Sequence, residues 1–241
     1  MTFDELAKKI KSRGYWRINF QPLKDEVKLK TLVGCKEIVE KNRVELRGWD
    51  YPHFPRREGD DTGLLPMNNY YRGWINWMNH VEFWHMYQSG QFLHYLALRE
   101  DWIEDDAFAQ YIGGTRRQIK PMSVLGVTGT VFQITEIYEF LARLAKEGIY
   151  EEGVRVSISF NNTEQRELWV DSPQRLHFMF SRKTGEKNIS FSKEYGTTEI
   201  ISGTKELSFE VIKYFFERFG WHNMAVETIK KDQEDLLARR I

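Results

Sequence analysis

Apolar and polar positions alternate along residues 74–99, WINWMNHVEFWHMYQSGQFLHYLALR, and two apolar runs meet at Ser89-Gly90. That pattern predicts one long antiparallel hairpin, residues 74–87 against 91–99, with Gly90 supplying the positive φ of a two-residue turn. The pairing then follows by counting: His85 faces His94, Trp84 faces Tyr95, Phe83 faces Leu96, Glu82 faces Ala97 and His80 faces Arg99. A slip of one residue would exchange the two faces of every strand involved.

The N-terminal segment TFDELAKKIK predicts a short helix. Thr2 caps it, Glu5 three residues on completes a capping box, and Phe3, Leu6, Ala7 and Ile10 share one side. Residues 15–21 alternate as a strand and stop at Pro22. A second helix is expected from Asp25 to about Lys41, with Leu29, Leu32, Val33, Cys35 and Val39 inward, followed by a strand over residues 43–49. Residues 50–71 hold three prolines and two glycines and read as an exposed loop. Residues 101–129 read as irregular. The stripe Val131, Ile134, Ile137, Tyr138, Leu141, Leu144 and Ala145 predicts a helix over residues 130–147, closed by Gly148. Strands are expected at residues 154–160, 167–171, 175–180 and 188–192, then helices at about 204–219 and 223–240. The predicted class is α+β: a predominantly antiparallel sheet with a long central hairpin (about 74–99) and packed helices. One domain over 1–241 is expected, with a possible subdivision near 148–153.

Composition adds little until it is resolved along the chain. Lys+Arg and Asp+Glu both total 35, so no net charge draws the protein to nucleic acid or an anionic membrane. Residues 1–57 nevertheless carry 14 basic and 8 acidic side chains, and residues 99–106 carry five acids against one arginine. Aromatic residues make up 15% of the chain, and five of the eight tryptophans (Trp49, Trp74, Trp77, Trp84, Trp102) lie in residues 49–102. Such rings serve cores and binding surfaces equally well. The single cysteine, Cys35, excludes an internal disulfide and reads as a buried thiol. No apolar leader or membrane-length run is present, so a cytoplasmic location and no membrane association are expected.

Candidate chemistry is sparse. His80, Glu82, His85 and His94 share the hairpin, and a cross-strand His85/His94 pair would bring two imidazoles about 5 Å apart at Cβ. Such a pair fits a shared proton, a metal ion or a hydrogen-bonded structural contact among aromatics. No third ligand is identifiable, so neither a metal nor another cofactor is expected. Gly113, Gly114, Thr115, Arg116 and Arg117 resemble a phosphate cradle in composition but lack the strand–loop–helix context of a P-loop. The acids Glu100, Asp101, Glu104, Asp105 and Asp106 lack EF-hand spacing.

Three segments, WRINFQP (16–22), RGWDYPHF (47–54) and HVEFWHMYQSGQFLHYLALRED (80–101), resemble a group of bacterial proteins of unknown function. That group is similar in the order of its WRxxF, GWxxPH and HVEFW–YQSGQF elements over roughly residues 15–145. The resemblance implies a bacterial origin and a folded unit, and it carries over no catalytic residue. Some related chains sit beside nucleic-acid-binding modules, which the resemblance offers as a hint only.

The sequence therefore favours a non-enzymatic binding or assembly module with a protein partner or self-association. The aromatic residues of 70–95 exceed what one hairpin face buries. The alternative is a nucleic-acid- or nucleotide-binding regulator using Lys8, Lys9, Lys11, Arg13 and Arg17, or Arg116 and Arg117, with exposed rings for stacking. A hydrolase or metalloenzyme built on His80, Glu82, His85 and His94 is the third reading.

Overall fold

The structure, a computed structural model, describes residues 1–24, 26–57, 59, 61–105 and 119–241. The first helix, α1 (Phe3–Lys11), begins at the capping box its sequence predicts. The Thr2 hydroxyl accepts from the Glu5 amide (3.3 Å), and Glu5 Oε2 accepts from the Thr2 amide (2.6 Å). Strand β1 (Tyr15–Pro22) follows with strict alternation of buried and half-buried residues.

Among the described residues the remaining strands are β2 (Thr62–Pro66), β3 (Tyr70–Trp77), β4 (His80–Tyr87), β5 (Phe92–Ala97), β6 (Val124–Gly126), β7 (Val154–Asn161), β8 (Glu167–Trp169) and β9 (Asn188–Tyr195). Seven of them form one antiparallel sheet in the order β2-β3-β4-β5-β1-β7-β9, while β6 and β8 pair in parallel beside it. Strands β7 and β9, beyond the suggested break at 148–153, thus lie in the same sheet as β1 and β5. The fold is α+β with a predominantly antiparallel sheet.

Among the described residues the other α-helices are α2 (Leu32–Asn42), α3 (Val127–Lys146), α4 (Thr197–Glu217) and α5 (Val226–Leu237). One sheet face packs on α2, α3 and α4, and α5 lies against α3 and α4. Phe92 meets Phe140 of α3 edge-on at 4.9 Å, and Trp16 meets Phe215 of α4 at 5.0 Å. Helix α1 lies on the opposite face, where Leu6 and Ile10 pack with Val81, Phe83, Ala97 and Trp102. The second face of the aromatic hairpin is therefore covered in part by the chain's own N-terminus.

Several expected elements differ. The predicted strand over 43–49 is a folded loop in which only Val44 bridges Tyr51 (Val44 N to Tyr51 O, 2.7 Å). Helix α2 starts at Leu32 with Thr31 as its cap, and Asp25, the expected cap, lies outside the described residues. The loop assigned to 50–71 contains β2, and the irregular stretch 101–129 contains a 3₁₀ segment (Arg99–Asp105), β6 and the start of α3. Helix α4 begins seven residues before Thr204, running through Gly203, whose non-helical φ of −114° marks a kink. The predicted strand at 175–180 is unpaired coil.

The long hairpin proves to be part of a three-stranded meander. A two-residue turn at Met78-Asn79 separates β3 from β4, pairing Trp77 with His80. Met78 takes a φ of +52° there, a conformation usually marked by glycine, so nothing in the local sequence announces the turn. The β4–β5 turn uses three residues, Gln88, Ser89 and Gly90. Tyr87 N donates to Gln91 O and Gly90 N donates to Tyr87 O (both 2.9 Å), with Gly90 at φ +84°. A three-residue loop ending in a left-handed glycine is the next commonest hairpin connection. It shifts the register by one residue from the count made on sequence.

Candidate functional site

That single-residue shift decides the chemistry of the hairpin. Trp84, not His85, faces His94, and His85 faces Leu93. The expected His85/His94 pair does not form, because the two imidazoles lie on opposite faces of the sheet. Glu82, Trp84 and Met86 share the helix-covered face with Phe92, His94 and Leu96, leaving His85 with Phe83 on the α1 side.

Glu82 and His94 meet on that covered face. His94 Nε2 lies 2.6 Å from Glu82 Oε2, and His94 Nδ1 lies 3.2 Å from the Tyr51 hydroxyl. The loop 43–54 supplies the remaining partners: Trp49 Nε1 donates to Glu82 Oε1 (3.2 Å) and the His53 amide donates to Glu82 Oε2 (3.4 Å). Trp84 Nε1 donates to the His53 carbonyl (2.8 Å). Burial pushes the Glu82 carboxyl up, but the hydrogen bond and charge of His94, with smaller contributions from His53 and Trp49, hold it below its ordinary value. Burial, then the charges of Glu82 and Glu136, raises the Tyr51 phenol well above its usual range. The Tyr51 hydroxyl at Nδ1 and the Glu82 carboxylate at Nε2 give both ring nitrogens of His94 a partner. His94 is fully buried, and Glu82 and Tyr51 nearly so. This is a clasp that ties the WDYPH loop to the sheet.

A partly exposed rim surrounds the clasp. Trp49 stacks on His80 (3.8 Å, 16°), on His53 (4.2 Å, 22°) and on Trp77 (5.7 Å, 7°). His53 Nδ1 lies 2.6 Å from Asp50 Oδ1, and Arg47 makes a two-pronged contact with Glu136 of α3 (2.9 and 2.6 Å). Burial, then the Arg99 charge, lowers the His80 pKa to about 4, so its ring stacks as a neutral imidazole. A groove of about 320 Å³ beside the loop is lined by Lys36, Glu40, Phe54, Arg56 and Leu64 and does not reach Glu82 or His94.

The other candidates are dispersed. His85 accepts from Arg72 Nε (3.1 Å) beneath the Phe3 ring of α1, and burial followed by the Arg72 charge lowers its pKa to about 3. Lys9 and Arg13 lie over the Trp102 ring (4.6 and 4.1 Å), whereas Lys11 and Arg17 lie over Tyr95 (5.2 and 5.9 Å). Gly113, Gly114, Thr115, Arg116 and Arg117 lie outside the described residues. Burial raises the Cys35 thiol to about 11, consistent with an inert side chain. Among the described residues no group of three or more His, Cys, Asp or Glu side chains is placed to hold a metal ion. Among them, too, no helix is long and apolar enough to cross a membrane.

Two roles escaped the sequence. Asp101, grouped there with an acidic run, is a buried hub: its carboxylate is ion-paired with Arg166 and accepts from the Gly14 and Met122 amides (both 2.7 Å). Asp171 caps α3 from a distance, accepting from the Thr128 and Gly129 amides (2.7 and 2.8 Å). Neither partner is close in sequence, so spacing carried no signal.

The most conspicuous surface lies elsewhere, on the segment 172–183. Leu176, Met179 and Phe180 are 95%, 88% and 75% exposed, and Phe178 between them packs edge-on against Trp221 (4.9 Å). The signal was present in the alternation RLHFMF, which reads as a strand; the sequence does not reveal that no neighbour pairs with it. No protein-family model, curated protein or solved structure matches this chain.

Proposed function

We propose that the chain is a cytoplasmic binding or assembly module of bacterial origin, and that its contact surface is the segment 172–183. The observation that carries this reading is the exposure of Leu176, Met179 and Phe180 on one loop. Large apolar side chains clustered in water mark interaction sites, whereas single ones are ordinary. The hairpin supports the same reading from the other side. Glu82 and His94, the groups with the most chemical promise, are enclosed and hydrogen-bonded to each other and to the 43–54 loop. Their arrangement fits a structural clasp better than a reaction centre.

The test is the triple substitution Leu176→Ser, Met179→Ser, Phe180→Ser. Each exposed position contributes within about 0.5 kcal/mol, so the three together should cost less than about 1.5 kcal/mol and move the melting temperature by less than about 6 °C. Binding of the apolar dye anilinonaphthalene sulfonate should fall sharply. A loss of more than about 2 kcal/mol would instead make these residues core, and the reading would fail.

Nucleic-acid binding is the second reading, favoured by Lys11 and Arg17 over Tyr95 on the sheet face opposite α3 and α4. An oligonucleotide affinity that falls steeply with salt, and that Arg17→Ala weakens, would support it. An affinity indifferent to both would remove it.

A further inference from the structure

Resting on that reading of 172–183, we infer that the segment receives an extended, acidic strand of a partner protein by edge addition to the small sheet. The backbone carries the argument. Residues 182–184 already run antiparallel beside β8 through a single bridge: Leu168 N donates to Arg182 O (2.9 Å), Thr184 N to Arg166 O (3.2 Å) and Gln165 N to Thr184 O (2.9 Å). Glu167 bridges Lys183 in antiparallel fashion. Parallel β6 occupies the other side of β8, so the order runs β6, β8, 182–184. The groups of Arg182 and Thr184 point toward β8, which turns those of Lys183 outward. Among the described residues, no backbone bond within the chain engages Lys183 N–H or C=O, nor the amides of Leu176–Ser181. An open strand edge of this kind is a template for one more strand.

Charge selects the occupant. Residues 172–187 hold four basic residues and one acid. Arg175 is paired with Asp232, and Arg182 donates to the Gly220 carbonyl (2.6 Å). Lys183 and Lys187 are exposed and enter no ion pair among the described residues. A strand with acidic side chains beside these two lysines, and apolar ones over Leu176 and Phe180, complements the edge. A second copy would bring its own Lys183 and Lys187 to the same place, and like charges across strands repel. A lipid surface would cover the apolar side chains but leave the backbone groups without partners.

Hydrogen exchange of the full chain with two ten-residue peptides tests this, one alternating valine with glutamate and the other valine with lysine. The glutamate peptide should slow exchange across 176–184 by at least five-fold at low salt, and the lysine peptide should not. Lys183→Pro, which removes the outward amide together with the Lys183 charge, should abolish the protection, Lys183→Ala, which removes the charge alone, should leave part of it, and Lys183→Glu with Lys187→Glu should transfer it to the lysine peptide. Equal protection by both peptides, protection by neither, or protection by phosphatidylserine vesicles alone would overturn strand addition. So would self-association through 176–184. If the serine triple variant behaves as expected while the peptides fail, the contact surface stands and the strand partner falls. Failure of both removes both.

Discussion

Two segments of this chain carry the same written pattern and meet opposite fates. HVEFWHMY (80–87) and RLHFMF (175–180) both interleave apolar residues with histidine or charge. The first becomes β4, flanked by β3 and β5, with α3 and α4 covering its sheet on one side and α1 on the other. The second is unpaired, with three apolar side chains in water. Alternation states what a segment is suited to; neighbours decide whether it is used that way. In β4 the polar residues Glu82 and His85 are enclosed with partners, because tertiary packing supplied donors and acceptors from the 43–54 loop and from Arg72. In 175–180 the chain supplies Asp232 to Arg175 and Trp221 and Arg182 to Phe178, and leaves Leu176, Met179 and Phe180 exposed. We read that deficit as the place of a partner.

The comparison breaks most readily at Glu82. Glu82→Ala would leave Trp49 Nε1, His94 Nε2 and the His53 amide without their acceptor, and should cost about 2–4 kcal/mol. Met179→Ser in the loop should cost under about 0.5 kcal/mol. Urea unfolding of the two variants side by side checks this, and similar losses at both sites would erase the distinction.

Acid sharpens it. His80 and His85 stay neutral in the fold, with pKa values lowered by burial to about 4 and about 3, so the unfolded chain binds protons that the native chain refuses. Stability should fall as pH drops from about 6.5 toward those values. Below the ordinary carboxyl range, protonation of Glu82, whose folded value is also depressed, should add to the loss. Thermal melts at pH 7 and pH 5 measure the first part, and His85→Gln should flatten it. A profile as steep in His85→Gln as in the native chain would place the titration elsewhere.

The smallest effect is expected at Trp77. It is half exposed at the end of the Trp49 stack, and α1 already covers part of the hairpin face once expected to need a second chain. Light scattering at micromolar concentration should give one mass for the native chain and Trp77→Glu. Dissociation on substitution would move the interface from the loop to the stack.

What the sequence disclosed follows from the range of each interaction. The Thr2–Glu5 capping box, the α3 stripe and the Gly148 stop are local, and all three are present. The class, α+β with antiparallel sheet, follows from such local patterns. The Met78-Asn79 turn was hidden because its positive φ sits on methionine rather than glycine. The hairpin register was missed by one residue because Ser89-Gly90 suits a two-residue or a three-residue loop equally, and that one residue parted His85 from His94. Glu82, His94 and Tyr51 were all visible, but the contact between them spans up to 43 residues and depends on a loop read as a strand.

Native-state hydrogen exchange of the isolated chain tests the central claim most directly, since it reads both segments at once. Amides of 81–86 should exchange only through global unfolding, while those of 176–181 should exchange close to the rate of an unstructured peptide. Protection of 176–181 comparable to that of 81–86 would show that the loop is already paired, and the account of an open docking edge would be wrong.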